Sequence, residues 1–455
     1  MRLQMDVYTP TAKKLIIPLW NLKDGHRYEE ILKTYEVSQY WPAEKLKELQ
    51  WERLKDLLQH AYLFSPFYRR RFEELELTPE EIKSWEDFEI IPILTKEEIK
   101  SNLQEMLATN IPRGKLIYKR TGGSTGVPLH LYVDKRGMDF KRAATIRHNR
   151  WSGYERGDKI AMIWGNPDIY KSRKAFLRNL FVERTIFLDT LRMDEESMRA
   201  FVSEIKSFRP RYLLGHAHSI YIFARFMESE GIGGIEFASV ISTAMALSEK
   251  ERQTMKRVFS CEVFDRYGCE ETSLIASECE KHKGLHLNAE GVYVEVVKEG
   301  KSGKNSLGGI LLTDLTNYGM PIIRYRVEDV GLLSESLCPC GRRLPLLQEV
   351  RGRTSDFIVT PEGRLVFGIS VLDNLTIHIP GFKQVQIIQE EIDHLHFKIV
   401  KGQGYSEESV RIFKQELPSY FGQKMRYDWE FVDEIPKESS GKYRFTICKV
   451  KNPFY

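Results

Sequence analysis

The first hundred residues place apolar side chains at a helical period. Leu46, Leu49, Leu54, Leu57, Leu58 and Ala61 recur near every ~3.6 residues, so residues 43–62 are expected to form one helix with a single apolar stripe. A second helix is expected after Thr95, because Thr95 and Glu98 have capping-box spacing ahead of Ile99, Leu103 and Leu107. From about residue 115 to residue 337 the pattern changes to short apolar runs between amphipathic stretches. Residues 159–164, 211–214 and 239–243 read as buried strands, and residues 248–259, opened by Ser248 and Glu251, as an intervening helix. That alternation predicts an α/β core with largely parallel sheets. Runs at 292–297, 309–315 and 321–325 follow without helices and predict a more antiparallel subdomain. Beyond a break at 351–356, strands at 385–389, 395–400 and 427–432 and a helix at 406–417 form a small α+β unit.

The expected layout is therefore a large N-terminal domain at residues 1–353 and a C-terminal α+β lobe at 354–455. Within the large domain, 1–110 are the helical start, 111–290 the α/β core and 291–353 the strand-rich part. Composition narrows the function classes. Lys and Arg number 68 against 64 Asp and Glu, a net charge of +4 over 455 residues, which gives no case for nucleic acid as a partner. No apolar run approaches the ~18 residues of a membrane span, and residues 15–20 are too short for a signal-peptide core, so a cytoplasmic location is expected. Six cysteines in so long a chain do not make a disulfide framework; they are expected as thiols or metal ligands.

Two constellations carry chemistry. The first is Thr121, Gly122, Gly123, Ser124, Thr125 and Gly126, between strand-like segments. Glycines and hydroxyls at this density let backbone N–H groups wrap a phosphate, although a glycine-rich hairpin is the plain alternative and the Walker pattern is absent. The second pairs Cys279 and His282, with His286 in reserve, with Cys338 and Cys340 of a Cys-Pro-Cys-Gly knuckle. Two short chelating pairs supply the four soft or borderline ligands of a closed, structural zinc site if the fold joins them; otherwise they are reduced thiols. His216 and His218 follow a strand end, where they either touch substrate or cap a helix, and His394 and His396 share one face of a lobe strand as surface residues.

Read in order with the glycine-rich loop, four later stretches resemble a known family. They are Tyr-Gly-Cys-Glu-Glu at 267–271, the run at 320–329 ending in Val-Glu-Asp, Gly-Arg-Thr-Ser-Asp at 352–356, and Pro-Lys-Glu-Ser-Ser-Gly-Lys at 436–442. The chain resembles the adenylate-forming acyl-CoA synthetase superfamily, in its phenylacetate–CoA ligase and CapK-like branch, over nearly its whole length. The resemblance implies ATP, Mg²⁺ and a carboxylic acid as ligands, with either CoA or an amine as acyl acceptor, and a homodimer as one arrangement. It implies phosphate binding by Thr121 to Gly126, adenine contact by Tyr267, Mg²⁺ at Glu271, ribose at Asp329 and nucleotide support from Arg353. Asp356 then takes the hinge position, and Lys442 the mobile lysine that assists adenylation. Such a step joins two anions, so a cation must offset charge as it proceeds. Val127 and the stretch Ala244, Met245, Ala246 depart from the family pattern, and a nucleotide-binding protein without turnover is the alternative of another class.

Overall fold

The computed structural model describes residues 8–121, 129–165, 172–298, 301–302, 307–353, 356–368, 371–372, 375, 379–436 and 444–450. The helical start is led by Ala43–Phe64, whose Leu46, Leu54, Leu57, Leu58 and Ala61 are buried. It stops where Pro66 forces Ser65 into an extended conformation, φ −108° and ψ 111°, and a new helix Pro66–Glu74 starts with that proline in its first turn. Leu54, Leu57, Phe67, Tyr68 and Phe72 then pack against Leu129, Leu131, Ile322 and Ile323, fixing the helices to the strands that carry the motifs. Each fully buried side chain of this kind contributes about 1.5–3 kcal/mol.

β1 (Ile117–Arg120) and β2 (His130–Val133) form an antiparallel hairpin that brackets the glycine-rich loop. β3 (Ile160–Trp164), β4 (Thr185–Asp189), β5 (Tyr212–His216), β6 (Ser239–Thr243) and β7 (Glu262–Cys269) are parallel, in the order β4-β3-β5-β6-β7. β7 also pairs antiparallel with β8 (Ser273–Glu278). The remaining strands are β9 (Leu285–Leu287), β10 (Val292–Lys298), β11 (Lys301–Ser302), β12 (Gly308–Asp314), β13 (Tyr325–Ser334) and β14 (Leu346–Arg353), and the sheet continues from β8 in the order β9-β14-β13-β12-β10-β11. The parallel core and the antiparallel part read from the sequence are thus one sheet of 12 strands that changes character at β7.

The strand expected at 321–325 is not one. Pro321 has no N–H to donate, and the chain before it is held by side chains instead. Asp134 accepts from the Tyr318 and Gly319 N–H groups at 2.7 and 3.0 Å, and the Asn317 side chain donates to the Met320 carbonyl at 3.0 Å. β13 begins only at Tyr325, after Arg324 at φ +50°.

The two faces of the parallel strands differ. Ala161, Ile163, Leu213, Val240 and Val263 lie under the helices Glu195–Phe208, Ala217–Ser229 and Glu249–Phe259. The other face carries Ile160, Met162, Tyr212, Leu214 and Ile241 in an apolar cluster with Tyr154, which follows the helix Lys135–Trp151.

In the C-terminal part, β15 (Phe357–Val359) and β16 (Leu365–Phe367) form a hairpin. β17 (Phe382–Glu391), β18 (His394–Lys401), β19 (Arg426–Phe431) and β20 (Thr446–Cys448) form a sheet in the order β19-β18-β17-β20. The helix Glu407–Phe421 lays Phe413, Leu417 and Phe421 on Val385, Ile387, Leu395 and Phe397. The Gln389 side chain bonds both backbone groups of Val359, at 2.9 and 2.7 Å, and so ties β15 to β17. No helix among the described residues is long and apolar enough to cross a membrane.

Candidate active site and metal cluster

The turn between β7 and β8 collects the acids expected to meet a nucleotide. Gly268 allows it, since a Cβ there would lie 2.7 Å from the Ser273 carbonyl oxygen. The Tyr267 hydroxyl donates to Asp329 Oδ2 at 2.6 Å, and the Tyr325 hydroxyl to Glu271 Oε1 at 2.8 Å. Each carboxylate is thereby held by a phenol from the facing strand, β7 against β13. Burial raises the Tyr325 hydroxyl far above its ordinary range, with Glu271 adding to the shift, so it stays a donor. Asp329 and Arg353 are register partners on β13 and β14. Asp356 accepts from the Arg353 N–H at 2.7 Å, and burial pushes its carboxyl up to about 6. Gly352, at φ +98°, permits this approach, because a Cβ would stand 2.7 Å from Asp356 Oδ2.

The glycine-rich loop is anchored at the same place. Thr121 closes its base through two bonds to Leu129, N–H to carbonyl at 3.0 Å and Oγ1 to N–H at 2.9 Å. Lys119 on β1 reaches Glu270 at 3.0 Å, which ties the loop's stem to the β7–β8 turn. Buried Lys141 holds the Thr272 carbonyl at 3.1 Å and pairs with Asp314. Gly122, Gly123, Ser124, Thr125, Gly126 and Val127 lie outside the described residues, as does Lys442. Phe445, shortly after Lys442 in the chain, stands 5.3 Å from the ring of His218, whose Nδ1 is 2.9 Å from Glu251. His216 packs on Trp164 at 4.5 Å. His394 and His396 both face Asp428, at 3.5 and 2.6 Å. Tyr325, Lys119 and Lys141 had no assigned role in the sequence; only Tyr325, inside the 320–329 run, carried a signal that could have found it.

Backbone strain gathers here. Ala244, Ser273, Arg324 and Glu328 hold φ of +68°, +69°, +50° and +69°, a region that costs side-chain-bearing residues free energy. A glycine at position 244 would adopt that conformation freely.

At the other end of β8 the metal-ligating residues meet. Cys279, His286, Cys338 and Cys340 bring one ligand atom each within 4.8 Å of one another. Cys279 Sγ is 3.6 Å from Cys338 Sγ, and His286 Nε2 is 3.3 Å from Cys340 Sγ. Tetrahedral zinc, with Zn–S of about 2.3 Å and Zn–N of about 2.0 Å, has ligand edges of about 3.6–3.8 Å, so the set fits that ion. His282, expected as the fourth ligand, lies outside the set. Register decides this: Ser277 pairs with His286, so Cys279, two residues beyond Ser277, shares a face with His286. His282 sits in the hairpin turn at φ +48° and contacts Glu278 at 3.0 Å instead. Leu346 of β14 pairs with His286 and brings the knuckle alongside. The Lys281 and Arg342 N–H groups donate to the Cys279 and Cys340 sulfurs at 3.5 and 3.4 Å. Burial pushes the Cys279 thiol up to about 12 and His286 down to about 4. At Cys340 burial acts upward but hydrogen bonds from Arg342 outweigh it, and the thiol lies below its ordinary value. Gln39 accepts from Trp151 and Arg342, both at 3.2 Å, so the knuckle also fastens the helical start.

Comparison with known proteins agrees with this architecture. Residues 358–449 match the CapK C-terminal domain. Protein CapK of Staphylococcus aureus is 24% identical over 94% of this chain and 93% of its own length. A phenylacetate-coenzyme A ligase of Aromatoleum evansii is 24% identical over 70% of this chain and 72% of its own. A 2-hydroxyisobutyryl-CoA ligase, solved in the postadenylation state in complex with R3-HIB-AMP, superposes with a TM-score of 0.70. That likeness spans 90% of this chain and 91% of the other at 19% identity. Residues 358–449 therefore resemble the CapK C-terminal domain, in a chain that has the fold of the adenylate-forming acyl-CoA ligases.

Proposed function

We propose that this protein uses ATP to activate a carboxylic acid as its acyl-adenylate, releases pyrophosphate, and passes the acyl group to CoA. The observation that carries the reading is the pair of phenol–carboxylate bonds that set Asp329 and Glu271 on one wall beside the stem of the glycine-rich loop. In this reading residues 121–126 hold the phosphates, Tyr267 lines the adenine, and Asp329 with Arg353 receives the ribose side. Glu271 would hold Mg²⁺, whose charge offsets the repulsion between carboxylate and phosphate when bound. A glutamate oriented by a phenol suits a hard cation. Lys442 would bring a second positive charge, and a lysine on a Ser-Gly-Lys tail is able to leave once the first step is done. The division into residues 1–353 and 354–455, with Asp356 at the hinge, belongs to the same reading.

Cys279, His286, Cys338 and Cys340 would hold a structural zinc ion. All four ligand positions come from the protein, so the site would stabilise the junction of β8, β9 and the helical start and take no part in turnover. A second acceptor is favoured by the CapK C-terminal match: an amine, giving an amide in place of a thioester.

Pyrophosphate release from ATP and Mg²⁺ across aryl, aliphatic, amino and hydroxy acids, without CoA, tests the first step. Release with at least one acid, abolished by Lys442→Ala, is the expected result. ATP binding with no release for any acid would support the nucleotide-binding reading instead. Adding CoA or amines to the active acid then separates the two acceptors.

A further inference from the structure

Arg266 precedes Tyr267 on β7 and therefore faces the opposite side of the sheet. Register places it in a row. Ile163 pairs with Gly215, His216 with Thr243, and Thr243 with Arg266, so Trp164, His216, Thr243 and Arg266 form the last rung of one face. The rungs beneath are the apolar cluster around Tyr212, Leu214 and Ile241. The rung lies at the carboxyl ends of the parallel strands, where open α/β sheets bind their ligands.

Arg266 is half-buried, and its charge is handled differently from that of Arg147, Arg324 and Arg252. Arg147 is paired with Glu290, Arg324 with Glu295 and Arg252 with Glu278, at 2.6, 3.0 and 2.9 Å. Among the described residues no carboxylate forms an ion pair with Arg142, which lies over the Tyr28 ring at 5.5 Å and feels the charge of Glu183. Arg266 bonds through Nη2 to the neutral Asn149 side chain, its Nε has no partner, and no carboxylate pairs with its guanidinium among the described residues. A guanidinium does not neutralise itself by losing a proton under ordinary conditions, and one withdrawn from water without an anion is costly. Its neighbours on the rung are an indole, an imidazole and a hydroxyl. A purely hydrocarbon acid would leave the Arg266 Nε without a polar partner, and a site of that kind discriminates strongly against such a ligand.

We propose that Arg266 is a specificity-determining residue that selects an acid carrying a second oxyanion, in the simplest case a dicarboxylate. The distal oxyanion forms the ion pair that Arg266 lacks among the described residues, a bidentate one where geometry allows, while the other carboxylate is adenylated. The inference rests on the adenylation reading for the fate of the reacting carboxylate, but not for the binding of the distal one.

The test uses the full chain and matched acids: pentanoate against glutarate, phenylacetate against 1,3-phenylenediacetate, and 3-sulfopropanoate and 3-phosphonopropanoate to separate the sources of the oxyanion. Pyrophosphate release and calorimetric binding of each acid are measured for the unmodified protein, Arg266→Met and Arg266→Lys. The expected result is a kcat/KM at least 30-fold higher for an acid with a second oxyanion. Arg266→Met should lose at least 100-fold on that acid, mainly through KM, and change the plain acid by less than threefold, while Arg266→Lys recovers part. Retained turnover of the plain acid shows that the variant is folded. Preference for plain acids, or an equal loss on both classes in Arg266→Met, overturns the proposal and leaves adenylation standing. Binding of the diacid that depends on Arg266, with no turnover of any acid, upholds it while the adenylation reading fails. Absence of both turnover and binding overturns it.

Discussion

β8 carries a different kind of site at each end. Cys279 follows its last residue and belongs to a cluster in which three sulfurs and one imidazole nitrogen converge on one point. Glu271 comes just before its first residue and belongs to a wall whose groups are held apart, each acid tied to one tyrosine. The cluster needs only an ion to be complete. The wall keeps its acids oriented, and residues with strained φ values, Ala244, Ser273, Arg324 and Glu328, border its strands. A six-residue strand spans about 20 Å, so the two ends share a scaffold without sharing chemistry. What separates them is closure: in the proposed reading one end would hold an ion that stabilises the fold, and the other would receive a ligand.

The largest expected effects break that division from either side. Cys338→Ser should remove zinc, about one ion per chain by atomic absorption, and lower unfolding free energy by several kcal/mol. Pyrophosphate release per folded molecule should stay within a few-fold of the parent. Glu271→Gln should do the reverse, cutting release by about 10²–10³-fold with zinc content unchanged. Tyr325→Phe removes one hydrogen bond to Glu271, and the loss of about 1 kcal/mol should raise the Mg²⁺ needed for half-maximal release roughly five- to tenfold.

Ala244→Gly relieves a left-handed φ and should raise stability by about 1 kcal/mol in a urea melt, provided the strain is local. A smaller effect is a slope with pH. The folded carboxyl of Asp356 titrates near 6, above its ordinary value of 3.8, so the folded state binds more protons between those values. Its contribution is complete below about 4 and is lost as pH rises to about 6. Asp356→Asn should remove that part of the decline, seen as a smaller difference between melts at pH 4.5 and pH 7.

Much of this was legible in the chain. The apolar stripe of residues 43–62, the buried strands and the order of the motifs need only local pattern, and local pattern is what periodicity reports. The knuckle of Cys338 and Cys340 was visible because proline and glycine force two sulfurs together over one short turn. The fourth ligand was not. His282 is nearer Cys279 in sequence than His286, yet the pairing of Ser277 with His286 puts the farther histidine on the face of Cys279. The same limit hid Lys119, Lys141 and Arg266, whose partners lie more than a hundred residues away in the chain. The start of β13 was missed for another reason: Asp134, far earlier in the chain, occupies the backbone N–H groups just before Pro321.

The most direct test of the central claim is the path of an oxygen atom. With an acid labelled with ¹⁸O in its carboxylate, adenylation followed by transfer to the acceptor places one labelled oxygen in the phosphate of AMP. The account predicts AMP heavier by one ¹⁸O, read by mass spectrometry, in the complete reaction and none in Lys442→Ala. Label in inorganic phosphate, with ADP as the other product, would mean that the acid attacks the terminal phosphate and would contradict it.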